Sequence, residues 1–364
     1  MRHRYGYLDP ALIQKLLSEL GLRRLFNHLL LQSGGDPEEA LNWMRALQER
    51  GYLDPNLDLE EFFARLAEER VIGQDGEGNF VLSAGGERQI RRDALDEIFG
   101  GLGKSAAGDH SVASPGQGSE RLTETRGYRF GDDPMLIDGV RTLQNALRNG
   151  DPAAAISIHE EDFEVFETEH NSSCATVVMI DISHSMILYG EDRITPAKKV
   201  ALALTELILT KYPKDSIDIL LFGDDAKEVP ISEIPYVEAG PFHTNTKAGL
   251  ELAQNILRRR KHGNKQIFMI TDGKPSALRE GGKLYTNSFG LDMKIVNRTL
   301  EEADRCRRAG IPITTFMLAT DSMLVNFVEQ LSKINRGRAF YSSPDRLGEY
   351  ILADYIRNRR KFVH

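Results

Sequence analysis

Cysteine is scarce in this chain, which has only Cys174 and Cys306 among its 364 residues. Their spacing is not that of a zinc site, and two cysteines are too few for the disulfide framework of a small secreted protein. One lies in an apolar strand pattern and the other in an amphipathic helix pattern, so both are expected to pack in the interior. We therefore predict a reducing compartment and a cytoplasmic location.

Long apolar runs and an excess of positive charge are also missing. No stretch approaches the roughly 18 apolar residues that cross a bilayer, and the N-terminal MRHRYGYLDP is not followed by the apolar segment of a signal peptide. The formal net charge is −8, which disfavours a chain that binds phosphates or anionic lipid. We predict neither membrane insertion nor nucleic-acid binding.

Residues 1–100 have apolar residues at helical spacing, as at Leu41, Met44 and Leu47, interrupted by Asp-Pro pairs. Two short apolar runs then flank a turn sequence at 75–78 and predict a β-hairpin. A helical domain with a hairpin resembles a winged helix. Its 12 Lys and Arg against 18 Asp and Glu leave a charge of −6, which favours a structural or protein-contact role over reading DNA.

Residues 101–127 are rich in Gly and Ser and are predicted to form a flexible linker. The Gly-Lys-Ser at 103–105 resembles the end of a phosphate-binding loop. The motif would need glycine at position 98, which is Ile98, and the preceding segment has a helical pattern rather than a strand pattern. No nucleotide site is predicted there.

Residues 128–171 are predicted to form a lead-in to the last domain. A helical segment, MLIDGVRTLQNALRNG, comes first. The acidic segment around Phe163, Val165 and Phe166 follows, and its broken alternation of apolar residues predicts an edge strand or clasp.

Residues 172–364 alternate between apolar strand patterns and helix patterns. TVVMIDI, SIDILLFG, QIFMIT and IPITTFML are short and rich in β-branched residues, as is typical of strands buried on both faces. Amphipathic helices separate them, and one is expected to have Thr195 as its N-cap and Pro196 as its first helical residue. The alternation predicts an α/β fold, a doubly wound and mostly parallel sheet.

Polar side chains follow two of these strands. Asp181, Ser183 and Ser185 come at the end of TVVMIDI, and Asp272 follows QIFMIT. The carboxyl ends of parallel strands share one edge, where ligands of such sheets bind. Carboxylates and hydroxyls without histidine or thiolate favour a hard cation, Mg²⁺ or less selectively Mn²⁺ or Ca²⁺, with a coordination position open to an outside carboxylate.

The segments DISHSM, HTNTKAGL and ITDGKPS resemble, in order, the three parts of the metal-ion-dependent adhesion site of von Willebrand factor A (VWA) domains. The resemblance covers residues 172–362 and implies a VWA fold. It implies five ligands through direct or water-mediated contacts, which are Asp181, Ser183, Ser185, Thr244 and Asp272.

Other interpretations of these segments remain open. Either Asn245 or Thr246 is a candidate for the cap of the following helix. Thr246 is also a candidate for the ligand in place of Thr244. Asp181, Ser183 and His184 contain the residue types of a hydrolase triad, although neighbours in one extended segment do not easily face each other. His243 is expected to be a loop residue, since histidine would favour a softer metal.

The layout of the whole chain resembles bacterial cytosolic VWA proteins associated with MoxR-type and magnesium-chelatase-type AAA+ ATPases. The resemblance implies a non-enzymatic adaptor whose cation binds an Asp or Glu of a partner, the ATPase or its client. The alternative is a non-ATPase subunit of a metal-chelatase-like complex, although the AAA+-like domain and acidic Pro-rich linker of such subunits are missing. A surface adhesin is disfavoured because a signal peptide and a cysteine framework are missing.

Overall fold

The computed structural model describes residues 21–102, 120–129, 132, 134–149, 156–169, 173–272, 274–287, 290–318, 322–342 and 346–359. Two compact units are present. One comprises Met1–Ala107 and Cys174–Ile356, and the other comprises Gly108–Ser173 and Arg357–His364. None of the helices in the described ranges has both the length and the apolar character needed to cross a bilayer.

The N-terminal part of the first unit is helical with one hairpin. Its elements are α1 (Gly21–Gln32), α2 (Pro37–Glu49), α3 (Leu59–Glu68), β1 (Ile72–Gln74), β2 (Phe80–Leu82) and α4 (Ala84–Leu102). The Asp-Pro pair at 36–37 is a helix start, because the Asp36 carboxylate accepts from the N–H groups of Glu38 and Glu39 in the first turn of α2. The hairpin is antiparallel, and Asp75 orders its turn by accepting from the N–H groups of Glu77 and Asn79.

The described residues of the second unit include two strands and a longer helix, which are β3 (Glu120–Gly127), α5 (Gly139–Asn149) and β4 (Glu164–Glu169). The predicted edge strand is β4, and it pairs antiparallel with β3 in a separate two-stranded sheet. The predicted linker at 101–127 therefore contains regular structure at both ends, the last residues of α4 and all of β3. Residues 103–119, including the Gly-Lys-Ser sequence, lie outside the described residues.

The rest of the first unit alternates between strands and helices as predicted. Its elements are β5 (Cys174–Asp181), α6 (Ile194–Lys211), β6 (Ser216–Phe222), β7 (Ala226–Val229), α7 (Thr246–Arg259), β8 (Asn264–Thr271), β9 (Ala277–Glu280), β10 (Lys283–Thr286), α8 (Met293–Arg308), β11 (Ile313–Met317), α9 (Ser322–Asn335), β12 (Arg338–Tyr341) and α10 (Leu347–Arg359), whose last three residues belong to the second unit. The sequence did not predict β7 or the β9–β10 hairpin.

A six-stranded sheet in the order β12-β11-β8-β5-β6-β7 forms the centre of this part. All neighbouring strands are parallel except β6 and β7 at one edge. Since β5 lies between β6 and β8, its carboxyl end is at the middle of the sheet edge. The predicted fold class, a mostly parallel α/β sheet preceded by a helical N-terminal region, is confirmed.

Every residue of β5 is buried, as expected for a strand covered on both faces. Val178 and Ile180 belong to the core on one face, and Val177 and Met179 belong to the core on the other. Both cysteines are buried, as the sequence predicted, and neither forms a disulfide bond.

The N-terminal helices continue the core of one sheet face. Leu25, Phe26 and Met44 belong to the same cluster of buried residues as Val178 and Ile180. The N-terminal helices and this face of the sheet therefore share one hydrophobic core, which the sequence pattern alone did not reveal.

Polar contacts reinforce this packing. The buried ammonium of Lys198 on α6 donates to three carbonyl oxygens, and the partners belong to Leu31, Pro235 and Val237. On the same helix Glu206 pairs with Arg91 at 3.2 Å and Lys199 pairs with Glu97 at 2.5 Å. The face of α6 that bears these residues is covered by α1 and α4.

Candidate functional site

The predicted site residues lie at the carboxyl edge of the central sheet. Asp181 is the last residue of β5, and Asp272 directly follows Thr271 at the end of the neighbouring β8. Parallel pairing in register, with Ile180 opposite Ile270, places both strand ends at the same level. Residues about ninety positions apart are thereby brought together as the sequence predicted.

Hydrogen bonds connect the two aspartates through two serines. The N–H of Ser183 donates to Asp181 Oδ1 at 2.9 Å, and the hydroxyls of Ser183 and Ser185 lie 3.1 Å apart. The hydroxyl of Ser185 then donates to Asp272 Oδ1 at 2.7 Å. Four of the five predicted residues therefore form one continuous cluster. Asp181, Ser183 and Asp272 are buried, whereas Ser185 is partly exposed.

A neighbouring loop holds the serine segment in place. The N–H of His184 donates to the carbonyl of Phe242 at 3.0 Å, and the N–H of Gly240 donates to that of Ile182 at the same distance. The Phe242 ring packs against Gly223 and Gly240, where an added Cβ would lie only 3.1 and 2.4 Å from ring atoms. Small residues are therefore needed under this ring.

Thr244 lies at the same edge but joins it through its backbone. Its N–H donates to Ser276 Oγ at 3.0 Å, and its carbonyl accepts from the N–H of Ser276 at 2.9 Å. The threonine is buried, but its hydrogen bonds do not include the four residues of the cluster. Asn245 is the cap of α7, since its side chain accepts from the N–H of Ala248 at 3.1 Å. Thr246 is the first residue of that helix.

Two further residues complete the cluster and were missed from the sequence. The hydroxyl of Thr271 donates to Asp181 Oδ2 at 2.5 Å, and the guanidinium of Arg193 pairs with Asp272 Oδ2. The position of Thr271, one residue before Asp272 at a strand end, was a usable signal. Arg193 lies in a loop, and its local sequence gave no signal of its contact with Asp272.

The predicted helix start after this loop needs a correction. Helix α6 begins at Ile194, two residues earlier than expected, and Thr195 lies inside its first turn. The side chain of Asp192 accepts from the N–H of Thr195 at 3.0 Å and fills the role predicted for Thr195 itself.

The electrostatics of the cluster favour a cation. Burial and then the negative charge of Asp272 raise the pKa of Asp181 to about 7. Arg193 is the cation within the described cluster, so two carboxylates face a single positive charge. The remaining net charge of about −1 attracts a further cation to the site. The donors are oxygens only, and a serine hydroxyl that donates to a carboxylate keeps its lone pairs for a metal.

The two histidines nearby are not part of this cluster. His243 pairs through Nδ1 with Asp224 at 2.9 Å, as expected for a loop residue. Ser183 Oγ lies against Ser185, and Asp181 accepts from Ser183 and Thr271, so the triad with His184 is not formed. In the described part of the chain no three His, Cys, Asp or Glu side chains group as a metal site, and a cation here would depend on hydroxyl ligands.

Two matches decide the family. The family model described as "Rv0959-like protein, vWA domain" matches residues 174–356, just over half of the chain. The chain is also 31% identical over 313 residues, 83% of its length, to the uncharacterized protein Rv0959 of Mycobacterium tuberculosis. The chain belongs to the Rv0959-like vWA family.

Further matches agree with this membership. The model for the third domain of Rv0959-like proteins matches residues 120–168, which contain the β3–β4 sheet. The uncharacterized protein Mb0984 of Mycobacterium bovis has the same 31% identity over 83% of this chain. The chain spans 46% of the length of these curated relatives.

Solved structures with a similar fold have low identity to this chain. The SpRpn10 VWA domain has a TM-score of 0.37 and 16% identity, with 49% of this chain and 93% of that chain covered. The vWF domain of the pili tip protein Mfa5 from Porphyromonas gingivalis has a TM-score of 0.41 and 14% identity, with 51% and 96% covered. Scores this low carry no weight for function.

Membership of a vWA family supports a protein-interaction role in general terms.

Proposed function

We propose that this chain is a metal-dependent adaptor that binds an acidic residue of a partner protein through a Mg²⁺ ion. One observation carries the proposal, the hydrogen-bonded cluster of Asp181, Ser183, Ser185 and Asp272 at the carboxyl edge of the sheet. Mn²⁺ and Ca²⁺ suit the same oxygen donors less selectively.

The roles of the residues follow from their chemistry. Ser183, Ser185 and Thr244 would supply neutral oxygens, and Asp181 and Asp272 would supply charge directly or through water. A cation with two carboxylates and several neutral ligands stays electrophilic, so a carboxylate from outside is a favourable further ligand. The cation would supply this attraction, and the fold would supply its position.

The proposed partner is a MoxR-type AAA+ ATPase or its client, and the proposed location is the cytoplasm. The support is the resemblance of the sequence layout to bacterial VWA proteins of that type. The adaptor itself would have no catalytic role, and the ATPase would perform the mechanical work.

Binding to the ATPase tests this proposal. The purified chain is titrated with the ATPase in Mg²⁺ and in EDTA, and the titration is repeated with Asp181→Ala. We expect binding in Mg²⁺ and its loss in the other two conditions. Asp225→Ala, which removes an exposed carboxylate paired with Arg279, is the matched control and should bind normally. Undiminished binding in EDTA and by Asp181→Ala would contradict the metal bridge.

A further inference from the structure

Arg193 connects a buried carboxylate of the candidate site to an exposed one. Its Nη1 pairs with Asp272 Oδ2, while its Nε and Nη2 lie 2.9 and 2.6 Å from Oε2 of Glu191. The Arg193 side chain is 15% exposed, the Asp272 side chain is 0% exposed and that of Glu191 is 60% exposed. One guanidinium therefore has two acceptors, one inside the site and one at the surface.

The two contacts of Asp272 differ in their effect on a bound cation. Ser185 donates to Oδ1 at 2.7 Å, and its hydroxyl keeps lone pairs with which it can also bind a metal. A guanidinium has donors only and a permanent positive charge. At Oδ2 it repels a divalent ion and occupies one of the two carboxylate oxygens of Asp272. Arg193 and a cation therefore compete for Asp272.

The surroundings of Arg193 allow the side chain to leave Asp272 without moving the main chain. The N–H of Arg193 donates to the carbonyl of Met186 at 3.0 Å, and Met186 is fully buried. Glu191 already accepts from the other side of the guanidinium. Release from Asp272 therefore leaves the charge of Arg193 paired.

We propose that Arg193 is a displaceable counter-ion that occupies Asp272 until a divalent cation enters, and that Glu191 then holds it. The inference rests on the proposed metal site and deepens it, because it states how the affinity of that site is set. The ion must replace an ion pair, which weakens its net binding. The site then binds metal less tightly than its ligands alone would allow.

Titration of the full chain with MgCl₂ by calorimetry tests the competition. Removal of the competing charge in Arg193→Gln should tighten Mg²⁺ binding about tenfold, which corresponds to about 1.4 kcal/mol. Arg259→Gln is the matched control, since Arg259 pairs with Glu228 at the far end of α7, roughly 20 Å along the helix from the site edge. This control should bind Mg²⁺ like the wild type.

A double-mutant cycle tests the second acceptor. Glu191→Gln should weaken Mg²⁺ binding in the wild-type background, because the displaced guanidinium then lacks its partner. In the Arg193→Gln background the same change should have a much smaller effect. Equal effects in both backgrounds would make Glu191 a simple surface charge and overturn its assigned role.

The outcomes separate this inference from the proposed function. Unchanged or weaker Mg²⁺ binding by Arg193→Gln, with normal wild-type binding, would overturn the counter-ion role and leave the metal site standing. A wild-type chain that binds no Mg²⁺ would overturn both. Thermal unfolding without metal checks that Arg193→Gln is folded, and Arg193→Lys, which keeps the charge but loses the planar fork, should bind Mg²⁺ less tightly than Arg193→Gln.

Discussion

Serine hydroxyls link the two carboxylates of the candidate site. Ser185 donates to Asp272, and the Ser183 and Ser185 oxygens are 3.1 Å apart. A hydroxyl can donate to a carboxylate and bind a cation at the same time, which a backbone N–H or a guanidinium cannot do. This property makes serine and threonine suitable ligands beside a pair of buried aspartates.

The threonine that completes the site can be identified by substitution. Thr244→Val and Thr246→Val each remove one hydroxyl with little change of shape, and both threonines are buried. We expect Thr244→Val to weaken Mg²⁺ binding by roughly tenfold or more, and Thr246→Val to leave it unchanged. Calorimetric titration measures both. The reverse result would assign the ligand role to Thr246.

At the residue scale the sequence predicted part of the cluster. Asp181, Ser183, Ser185 and Asp272 could be predicted because each follows a strand pattern closely, and parallel strands end at one edge. Arg193 could not be predicted, because an arginine in a loop has the same local pattern whether it meets solvent or a buried carboxylate.

Helix α7 begins at Thr246, two residues after Thr244, and fixes the position of the loop that carries Thr244. Asn245 caps the helix by accepting from the N–H of Ala248, and its amide also donates to the carbonyl of Asp224 at 2.9 Å. Gly249 in the first turns of α7 allows close packing on Met179 and Phe222 of the sheet. The loop thus depends on the helix that follows it.

Loss of this cap should lower the stability of the chain. Asn245→Ala removes the cap acceptor and the donor to Asp224, and we expect the free energy of unfolding to fall by about 1 to 2 kcal/mol. Asn245→Ser keeps an oxygen acceptor for the helix without burying a charge and should lose less. Urea unfolding measures both variants, and equal losses would show that the cap contributes little.

At the element scale the long strands of the central sheet were predicted, whereas β7 and the β9–β10 hairpin were not. β5 and β8 each have eight residues and apolar sequences, whereas β7 and β10 have four and include exposed charged residues. A short strand is stabilised mainly by its neighbour, which a local pattern does not record.

At the scale of the whole molecule, the N-terminal helices and the central sheet belong to one compact unit. They share one hydrophobic core, and Lys198 binds carbonyls of both parts. The sequence predicted a helical region before the sheet but not this packing, because the apolar faces of α1 and α6 give no sign of their partner.

Lys198 tests this packing most directly. Lys198→Met removes the donor and leaves three carbonyls without it, so we expect the free energy of unfolding to fall by roughly 2 kcal/mol or more. Lys211→Met is the matched control on the same helix, since Lys211 is exposed in its last turn, and it should change stability by less than about 0.5 kcal/mol. Similar small effects of both variants in urea unfolding would contradict the interpretation.

The same packing predicts sensitivity to acid. Burial, and then the charges of Lys199 and Lys198, lower the pKa of His28 from 6.5 to about 3. Below pH 6.5 the unfolded chain binds a proton that the folded chain does not bind, so the stability contributed by neutral His28 falls as the pH drops from about 6.5 towards 3. His28→Gln should flatten this part of the pH profile in urea unfolding. An unchanged slope would show that His28 is not responsible.

Mg²⁺ binding by the isolated chain tests the central claim most directly. Calorimetric titration of the wild type should show one saturable site, and Asp181→Asn, which keeps the shape but removes the charge, should abolish it. Asp225→Asn removes an exposed carboxylate and should bind like the wild type. Equal Mg²⁺ binding by the wild type and Asp181→Asn, or no binding by the wild type, would contradict a cation site at this edge of the sheet.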